Sequence, residues 1–382
     1  MTNLARRFIQ ASGLVFFLLL CAAAPAFAQA TQPLTVGAVL PITGTSARAG
    51  TYWRNGLELG VATVNERGGV KGRPIVLKIE DNASVVERSV TSYRKLVDTD
   101  QAAAVFAGIS GHVLALSPVA NETKRILINA SGQSPKIRSA GPYTFTVIND
   151  ASVQAEQMAE FVFNKLKISE VGIIYTDTDT GVGPMMAFEA MYSRLGGKVV
   201  AKEGHGLQNF DLRSHLRRIK EKNVKAVLVL THQEFAGPIL QQGNEVGLNV
   251  QWIGLSTVAT STLLNSAGKL AEGFIAILPE WTPGTTSARV KEFVQAYRSR
   301  FGSDPDIYAA HFYDSVFVFA KAATQAADST PEALRVAMLA IRGSNALEGV
   351  AGTIDFNDQG WVRKPQEIVV VRNGAYVPFA KK

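Results

Sequence analysis

Apolar and polar positions follow two periods that alternate along the chain. Residues 34–82 read LTVGAVLPITGTSARAGTYWRNGLELGVATVNERGGVKGRPIVLKIEDN. A β-branched run at 34–40 ends at Pro41, a segment with helical spacing follows, and a Gly-rich turn leads to a second apolar run at 75–79. This pattern predicts one strand, loop, helix, strand unit. The loop after the first strand would lie at the carboxyl edge of a parallel sheet, where open α/β folds bind small ligands.

The same alternation continues and predicts further βα units with a parallel sheet. Strands are predicted at 103–107, 126–128, 143–147, 171–175, 199–201, 226–230, 251–254 and 274–278. Helices are predicted at 84–97, 151–166, 184–195, 212–221 and 235–246. The remainder is less regular, with helices predicted at 289–300, 308–327 and 331–341 and strands at 352–356 and 368–372. Two α/β halves and such a tail favour two lobes joined by more than one crossover.

Two of the predicted helices carry start signals. Ser84 and Glu87 have the spacing of a capping box at the start of helix 84–97. Thr330 followed by Pro331 is a good N-cap and first-turn pair for helix 331–341.

The N-terminus has the pattern of a secretory signal peptide. A basic pair at 6–7 precedes an apolar run at 13–24, and Ala26-Phe27-Ala28 fits a small-x-small cleavage site. We therefore expect export and a mature chain that begins at Gln29. An uncleaved anchor is disfavoured because the apolar run is shorter than the ~20 residues of a membrane span.

The only cysteine, Cys21, lies inside that predicted signal, so the mature chain would have no disulfide. Lipoprotein processing at Cys21 is disfavoured because Leu20 stands where a small residue is expected. A chain of 382 residues is long enough for two domains.

The chain carries a formal charge of +7, from 39 basic and 32 acidic residues. The basic residues are scattered among acids except for a cluster at 213–225. A solvated helix face explains this cluster better than a nucleic-acid site, because no recognition motif accompanies it.

Searches for catalytic, cofactor and metal motifs find only incomplete patterns. The segment 108–112 resembles a nucleophile elbow with its second Gly misplaced. The segment 181–183 lacks the third Gly of a dinucleotide fingerprint, since Met186 occupies its place. A calcium loop starting at Asp177 would have Phe188 where the bidentate Glu belongs. The five histidines show no metal-ligand spacing. We expect no catalysis, no cofactor and no metal.

The segments GAVLPITGTSARAG, NERGGVKGR and IVLKIEDN resemble the periplasmic solute-binding proteins of the branched-chain amino acid (leucine/isoleucine/valine) ABC transporter family. The resemblance extends from about residue 34 to 371. It implies an α/β fold of the type I periplasmic binding class, with two Rossmann-like lobes, parallel sheets and a three-strand hinge. Lobe 1 would comprise 29–149 plus 279–352, and lobe 2 would comprise 150–278 plus 353–382. The lobes would close on a ligand between them.

Two loops of the first lobe carry the expected carboxylate site. The hydroxyl of Ser110 would lie beside free N–H groups at a helix N-terminus, which suits a carboxylate, although a simple N-cap serine is equally consistent with the residues alone. The resemblance favours binding, because the family's carboxylate-binding serine aligns with Ser110. It also places Ser131 and Gln133 at ligand contacts, with Gln133 replacing the usual Thr.

The second lobe departs from the family at the expected ammonium site. Ser256 stands where family members that hold an α-ammonium usually have Glu, and Thr180 replaces a Tyr. An ammonium removed from water needs a nearby anion. Either Asp179 or Glu234 could supply it, or both could be solvated loop charges.

Trp53, His232 and Tyr308 align with or near the pocket wall of the family. Aromatic and imidazole walls favour a flat or apolar ligand body. For Trp53 and Tyr308, ordinary helix packing is the alternative.

These features predict a periplasmic substrate-binding component of an ABC importer that performs no chemistry. Its ligand would be a branched-chain or other apolar amino acid, or a related small carboxylate. A binder of aromatic or aliphatic carboxylates without an amine is a rival, as is a periplasmic ligand sensor of the same fold. A secreted hydrolase is the weakest reading. The expected partner is a permease in the inner membrane, with no nucleic acid, and the protein is expected to be a monomer.

Overall fold

Short runs of aliphatic residues form the strands of two main sheets and one small ribbon. The computed structural model describes residues 32–279 and 287–379, so the predicted signal peptide and its cleavage site lie outside the described residues. The strands are β1 (Leu34–Leu40), β2 (Ile75–Asp81), β3 (Ala104–Ala107), β4 (Ile126–Asn129), β5 (Thr144–Thr146), β6 (Glu170–Thr176), β7 (Lys198–His205), β8 (Ala226–Leu230), β9 (Gln251–Gly254), β10 (Ile275–Pro279), β11 (Leu347–Gly349), β12 (Gly352–Ile354), β13 (Gln366–Arg372) and β14 (Ala375–Pro378).

Helices connect most of these strands. They are α1 (Ala47–Glu66), α2 (Val86–Arg94, continued by a π-helical turn at Lys95–Thr99), α3 (Ser110–Thr123), α4 (Ala151–Asn164), α5 (Asp179–Arg194), α6 (Arg213–Glu221), α7 (Gln233–Glu245), α8 (Ser261–Ala267), α9 (Ala288–Phe301), α10 (Ile307–Gln325) and α11 (Pro331–Leu339).

The first sheet has five parallel strands in the order β2-β1-β3-β4-β5. Strands β3, β4 and β5 are buried along their whole length, as expected for parallel strands covered by helices on both faces. Its core combines side chains from 36–148 with side chains from 290–362. Helices from the C-terminal part of the chain therefore complete this first unit.

Helices α1 and α10 approach each other closely in the first unit. A Cβ added to Gly56 on α1 would lie 2.3 Å from the carbonyl oxygen of Ala309 on α10. This contact brings Trp53 of α1 beside Tyr308 of α10, with ring centroids 6.2 Å apart. Glycine at position 56 therefore positions an aromatic pair.

The second sheet has seven strands in the order β14-β13-β10-β9-β8-β6-β7. Strands β6 to β10 are parallel, but β13 runs antiparallel to β10 and pairs with β14 in a hairpin. The strands of the βα units are parallel as expected, and the C-terminal hairpin makes the second sheet mixed. The hairpin turns at Asn373-Gly374, both with positive φ, which is the turn chemistry of a two-residue hairpin.

The second sheet is covered on both faces. Side chains of α6, α7 and α8 pack on one face, and side chains of α4 and α5 pack on the other. The chain passes between the two sheets three times, after β5, after β10 and before β13. Two of these passages are joined directly, because the Asn149 side chain donates to the Lys364 carbonyl at 2.8 Å and accepts from its N–H at 2.7 Å.

Two helix starts differ from the sequence prediction. Ser84 does not cap α2, which begins two residues later; it has a φ of 61°, and its hydroxyl accepts from Ser46 N–H and donates to the Thr43 carbonyl. The loop after β1 thus takes the hydroxyl that a capping box would use. Helix α5 begins at Asp179 and contains Pro184 instead of starting there. The N-cap prediction for Thr330 is confirmed, since its hydroxyl accepts from Ala333 N–H at 3.2 Å.

Candidate functional site

A cavity lies where the carboxyl ends of strands from both sheets meet. It encloses about 370 Å³, counting space open to solvent. The first unit contributes Ser46, Ala49, Trp53, Ile109, Ser110, Ser131 and Tyr308. The second contributes Thr180, His232, Gln233, Glu234 and Thr257. Seven of the ten residues that the sequence singled out are in this wall: Trp53, Ser110, Ser131, Thr180, His232, Glu234 and Tyr308.

Hydrogen-bond donors concentrate on the first-unit side of the cavity. Ser110 Oγ accepts from the N–H groups of Gln133 at 3.1 Å and Ser134 at 3.0 Å, which leaves its own proton for a ligand. Ser131 Oγ accepts from Ile109 N–H at 3.0 Å. Ser110 is the first residue of α3, and the first N–H groups of a helix have no acceptor within it. This side therefore suits an anion.

The N-cap position of α3 belongs to Ile109 and not to Ser110. Ile109 has a φ of 61°, which for a β-branched residue costs about 1–3 kcal/mol. The preceding Gly108 is required by space, because a Cβ there would lie 2.1 Å from Ser131 Oγ. Ser131 thus holds the strained loop that presents Ser110.

Aromatic side chains form one wall of the cavity. Trp53 stacks on Phe312 with ring centroids 5.1 Å apart, and it meets Tyr308 edge to face. The Tyr308 hydroxyl donates to Gln133 Oε1 at 3.0 Å. Both lining rings are almost completely buried, so they offer an apolar surface of fixed orientation.

The second-unit side is formed by the start of α7. Burial lowers the pKa of His232 to about 4, so this imidazole is neutral at pH 7. Burial raises the pKa of Glu234, against the opposing effect of nearby hydrogen bonds that include the Ser46 hydroxyl. Glu234 Oε2 is buried and has no hydrogen-bond partner among the described residues. Acceptor groups therefore concentrate opposite the donors of Ser110 and Ser131.

Gln133 and Ser256, two further residues that the sequence singled out, lie outside the cavity wall and bond to each other. Gln133 Nε2 donates to Ser256 Oγ at 3.0 Å and to the Asn149 carbonyl at 3.0 Å. Ser256 Oγ donates in turn to Gln154 Oε1 at 2.9 Å. These buried side chains form a neutral network of hydrogen bonds that is connected to the cavity wall through Tyr308.

Asp179, the third singled-out residue outside the wall, is in an ion pair. Its carboxylate pairs with Lys136 Nζ at 2.5 Å. Of the two anions that the sequence offered for an ammonium, Glu234 is the one in the cavity wall, while Asp179 already has a basic partner.

Sequence reasoning missed Ser46, Ala49, Ile109, Gln233 and Thr257 as wall residues. A usable signal existed for Ser46 and Thr257, since each lies in a loop that follows a strand at the carboxyl edge of its sheet. In the part of the chain that the structure describes, no group of three acidic, His or Cys residues could hold a metal ion. No described helix is long and apolar enough to span a membrane.

Comparison with known proteins gives consistent matches over most of the chain. A family model described as periplasmic binding protein matches residues 33–373. The leucine-, isoleucine-, valine-, threonine-, and alanine-binding protein of Pseudomonas aeruginosa is 23% identical over 335 residues, which cover 87% of this chain and 88% of that protein.

Solved structures share the fold. The branched-chain amino acid transporter substrate binding protein LivJ from Streptococcus pneumoniae, in complex with isoleucine, has a TM-score of 0.83 and 26% identity, and the match covers 90% of this chain and 97% of that chain. A solute binding protein of an ABC transporter from Rhodopseudomonas palustris BisB5, in complex with 3,4-dihydroxy benzoic acid, has a TM-score of 0.83 and 24% identity, covering 91% and 96%.

The resemblance seen in the sequence is thereby confirmed, and so is the α/β fold with two sheets that it implied. The family match spans nearly all of the described chain. The chain belongs to the periplasmic binding protein family, whose members bind solutes and are not enzymes.

Proposed function

We propose that this protein is the substrate-binding component of an ABC importer and that it captures a small carboxylate-bearing solute. Branched-chain or other apolar amino acids are the leading class of ligand. Relatives named for leucine, isoleucine and valine, and a similar structure that holds isoleucine, support this class. The protein would release its ligand to a permease in the inner membrane.

The main support for this proposal is that one cavity contains both hydrogen-bond donors and an apolar wall. Ser110 and Ser131 each keep a hydroxyl proton for a ligand beside the N-terminus of α3. Trp53 and Tyr308 line the same space with aromatic surface. A carboxylate would take the donors, and an apolar side chain would lie against the rings.

We also propose that the two sheet units are lobes that close on the ligand. The chain passes between the two sheets after β5 and after β10, which supports lobe boundaries near 149 and 279. The third boundary was placed at 353, and the side chains of Ile354, Phe356 and Val362 pack in the first core, so we propose that it lies beyond them. Hinge closure around a ligand is the usual motion of such a two-lobed arrangement.

Calorimetric titration tests the proposed function. The exported protein would be purified, stripped of bound solute by unfolding and refolding, and titrated with leucine, isoleucine, phenylalanine, 4-methylpentanoate and 4-hydroxybenzoate. We expect saturable binding of one ligand per chain for at least one of these compounds. Absence of binding to all of them would overturn the proposed function.

We propose a periplasmic location with the signal peptide removed before Gln29, and a monomeric protein without nucleic-acid partners. Mass spectrometry of the exported protein would show the new N-terminus, and light scattering would give the mass in solution. Uptake assays in cells that lack this protein separate import from sensing. An importer component is required for uptake of its ligand, whereas a sensor is required only for the response to it.

A binder of aromatic carboxylates without an amine is the second candidate. The aromatic wall favours it, and so does the neutral bonding of Ser256 where an acidic residue was expected. A similar structure that holds 3,4-dihydroxy benzoic acid also supports this candidate. Tight binding of 4-hydroxybenzoate with no binding of the amino acids would establish it.

A further inference from the structure

Two neighbouring side chains at the start of α7 bring unused acceptor atoms to the cavity. Gln233 and Glu234 both line it, and Gln233 Oε1 and Glu234 Oε2 are buried without a hydrogen-bond partner among the described residues. Gln233 is only 5% exposed. Buried polar atoms in folded proteins nearly always have a partner, so two such atoms on one helical turn indicate that a donor from outside the chain belongs there.

The charges of the residues that line the cavity indicate which kind of ligand group would donate to Gln233 and Glu234. Among the described residues that line it, none is Lys or Arg, and His232 is neutral at pH 7. The carboxyl group of Glu234 therefore has no cationic partner in the wall. A buried carboxylate is costly unless a positive group neutralises it, so a ligand cation is the group that completes this site.

The other acidic candidate is already occupied. Asp179 pairs with Lys136 at 2.5 Å and is outside the cavity wall. Position 256, where an acid was expected, holds a serine that bonds to Gln133 and Gln154. Neither position offers a free negative charge to a ligand in the cavity.

We propose that Glu234, assisted by Gln233, binds the ammonium group of an α-amino acid whose carboxylate is held by Ser110 and Ser131. This inference rests on the proposed function and narrows its ligand to zwitterions. The acid that neutralises the ammonium has moved from the loop after β9 to the helix that follows β8. Glu234 is thereby the residue that separates amino acids from the same acids without an amine.

Matched ligand pairs test this role. Leucine would be titrated beside 4-methylpentanoate, and phenylalanine beside 3-phenylpropanoate, into the wild type, Glu234→Gln and the control variant Asp179→Asn. Losing one partner of a buried charge pair weakens binding by at least about 30-fold. We expect the affinity of Glu234→Gln for the amino acid to fall by that factor. The analogue without an amine should bind to this variant as tightly as to the wild type, or more tightly. Asp179→Asn should leave the ratio within each pair unchanged.

Three results would overturn the proposal. The first is that the wild type binds the amino acid and its deaminated partner with equal affinity. The second is that Glu234→Gln loses the same factor of affinity for both members of a pair. The third is that only Asp179→Asn loses the preference for the amino acid. If the wild type bound only the compounds without an amine, the proposed function would stand and the role of Glu234 would fall. If the wild type bound no member of either pair and no 4-hydroxybenzoate, both the proposed function and the role of Glu234 would be rejected.

The stability of the ligand-free protein gives an independent readout. Because burial raises the pKa of Glu234, the isosteric Glu234→Gln removes a group that is unfavourable in its charged form. We expect the ligand-free variant to have a Tm equal to or above that of the wild type while its amino acid affinity falls. A purely structural role for Glu234 predicts the opposite, a lower Tm together with equal loss for all ligands.

Discussion

The side-chain amide of Gln133 donates a hydrogen bond to the hydroxyl oxygen of Ser256 at 3.0 Å, and this bond joins the two sheet units. Gln133 follows β4 of the first sheet and Ser256 follows β9 of the second. Gln133 Oε1 also accepts from Tyr308, which lines the cavity. The side-chain amide of Gln133 therefore connects the bond between the two sheet units to the cavity wall. All the side chains in this network are neutral.

Replacing Ser256 by alanine should weaken ligand binding, although Ser256 does not line the cavity. The change removes the acceptor of Gln133 Nε2 and the donor to Gln154 Oε1, so two buried amide atoms lose a partner. If these bonds stabilise the closed arrangement by about 1–2 kcal/mol, ligand affinity should fall about 5- to 30-fold. Stopped-flow measurement should show the loss mainly as faster dissociation.

The matched control is Ser303→Ala, which removes an exposed serine hydroxyl. It should leave both rate constants unchanged. Unaltered affinity and dissociation in Ser256→Ala would show that the bond between Gln133 and Ser256 does not contribute to closure.

Replacing Ser110 by alanine should reduce both affinity and stability. The N–H groups of Gln133 and Ser134 would lose their buried acceptor, and the ligand carboxylate would lose a donor. A hydrogen bond to a charged group contributes about 1.5–3 kcal/mol, so we expect affinity to fall about 10- to 150-fold. Calorimetry measures the affinity, and thermal unfolding of the ligand-free protein should show a lower Tm.

Ser117→Ala on the same helix is the control for Ser110. Ser117 is buried, but its hydroxyl donates to the Leu114 carbonyl of its own helix and it does not line the cavity. Its loss should leave affinity intact. Equal affinities for Ser110→Ala and wild type would exclude Ser110 from ligand binding.

Several parts of the site were predictable from the sequence for a simple physical reason. Ser110, Ser131 and His232 each follow an apolar strand-like run, and carboxyl ends of parallel strands share one edge of a sheet. The periodicity of the strands therefore predicts that such residues lie at the cleft, and no distance between remote segments has to be known. The Asn373-Gly374 pair was an equally local signal, and reading it would have predicted the antiparallel hairpin.

Other parts depended on distances between remote segments and could not be predicted. Gln133 and Ser256 are 123 positions apart, and only the folded chain shows that they satisfy each other. The choice between Asp179 and Glu234 depended on Lys136, whose approach to Asp179 no local pattern reveals. Ser84 had the spacing of a cap, but its hydroxyl is used by the loop after β1.

Replacing Gly56 by alanine should destabilise the fold and disturb the aromatic wall together. The new Cβ would lie 2.3 Å from the Ala309 carbonyl oxygen, so α1 and α10 must move apart. Overpacking of this kind costs about 1–3 kcal/mol of the free energy of unfolding. Because the same contact sets Trp53 beside Tyr308, ligand affinity should fall as well.

Urea unfolding and calorimetry measure the two effects of Gly56→Ala. Gly206→Ala is the control, because a Cβ there meets nothing closer than 4.0 Å and its backbone angle is ordinary. That variant should match the wild type in both measurements. A Gly56→Ala protein with wild-type stability would mean that the two helices can separate without cost.

The pH dependence of stability should depend in part on His112. This buried imidazole has Nδ1 2.7 Å from Ser89 Oγ and 3.1 Å from Asn82 Nδ2. Burial, with a smaller contribution from His232, lowers the pKa of His112 to about 4. The unfolded chain takes up a proton on this residue near the ordinary value of 6.5, whereas the folded chain does not. Stability is therefore complete above pH 6.5 and is lost as the pH falls towards 4.

From this one residue we expect a loss of about 2–3 kcal/mol in the free energy of unfolding between pH 7 and pH 4.5. His112→Asn should be less stable than wild type at pH 7, because its hydrogen bonds change, but its stability should fall less steeply on acidification. Urea unfolding at pH 7, 5.5 and 4.5 measures both curves. Parallel curves for wild type and His112→Asn would mean that the folded protein protonates His112 as readily as the unfolded chain does.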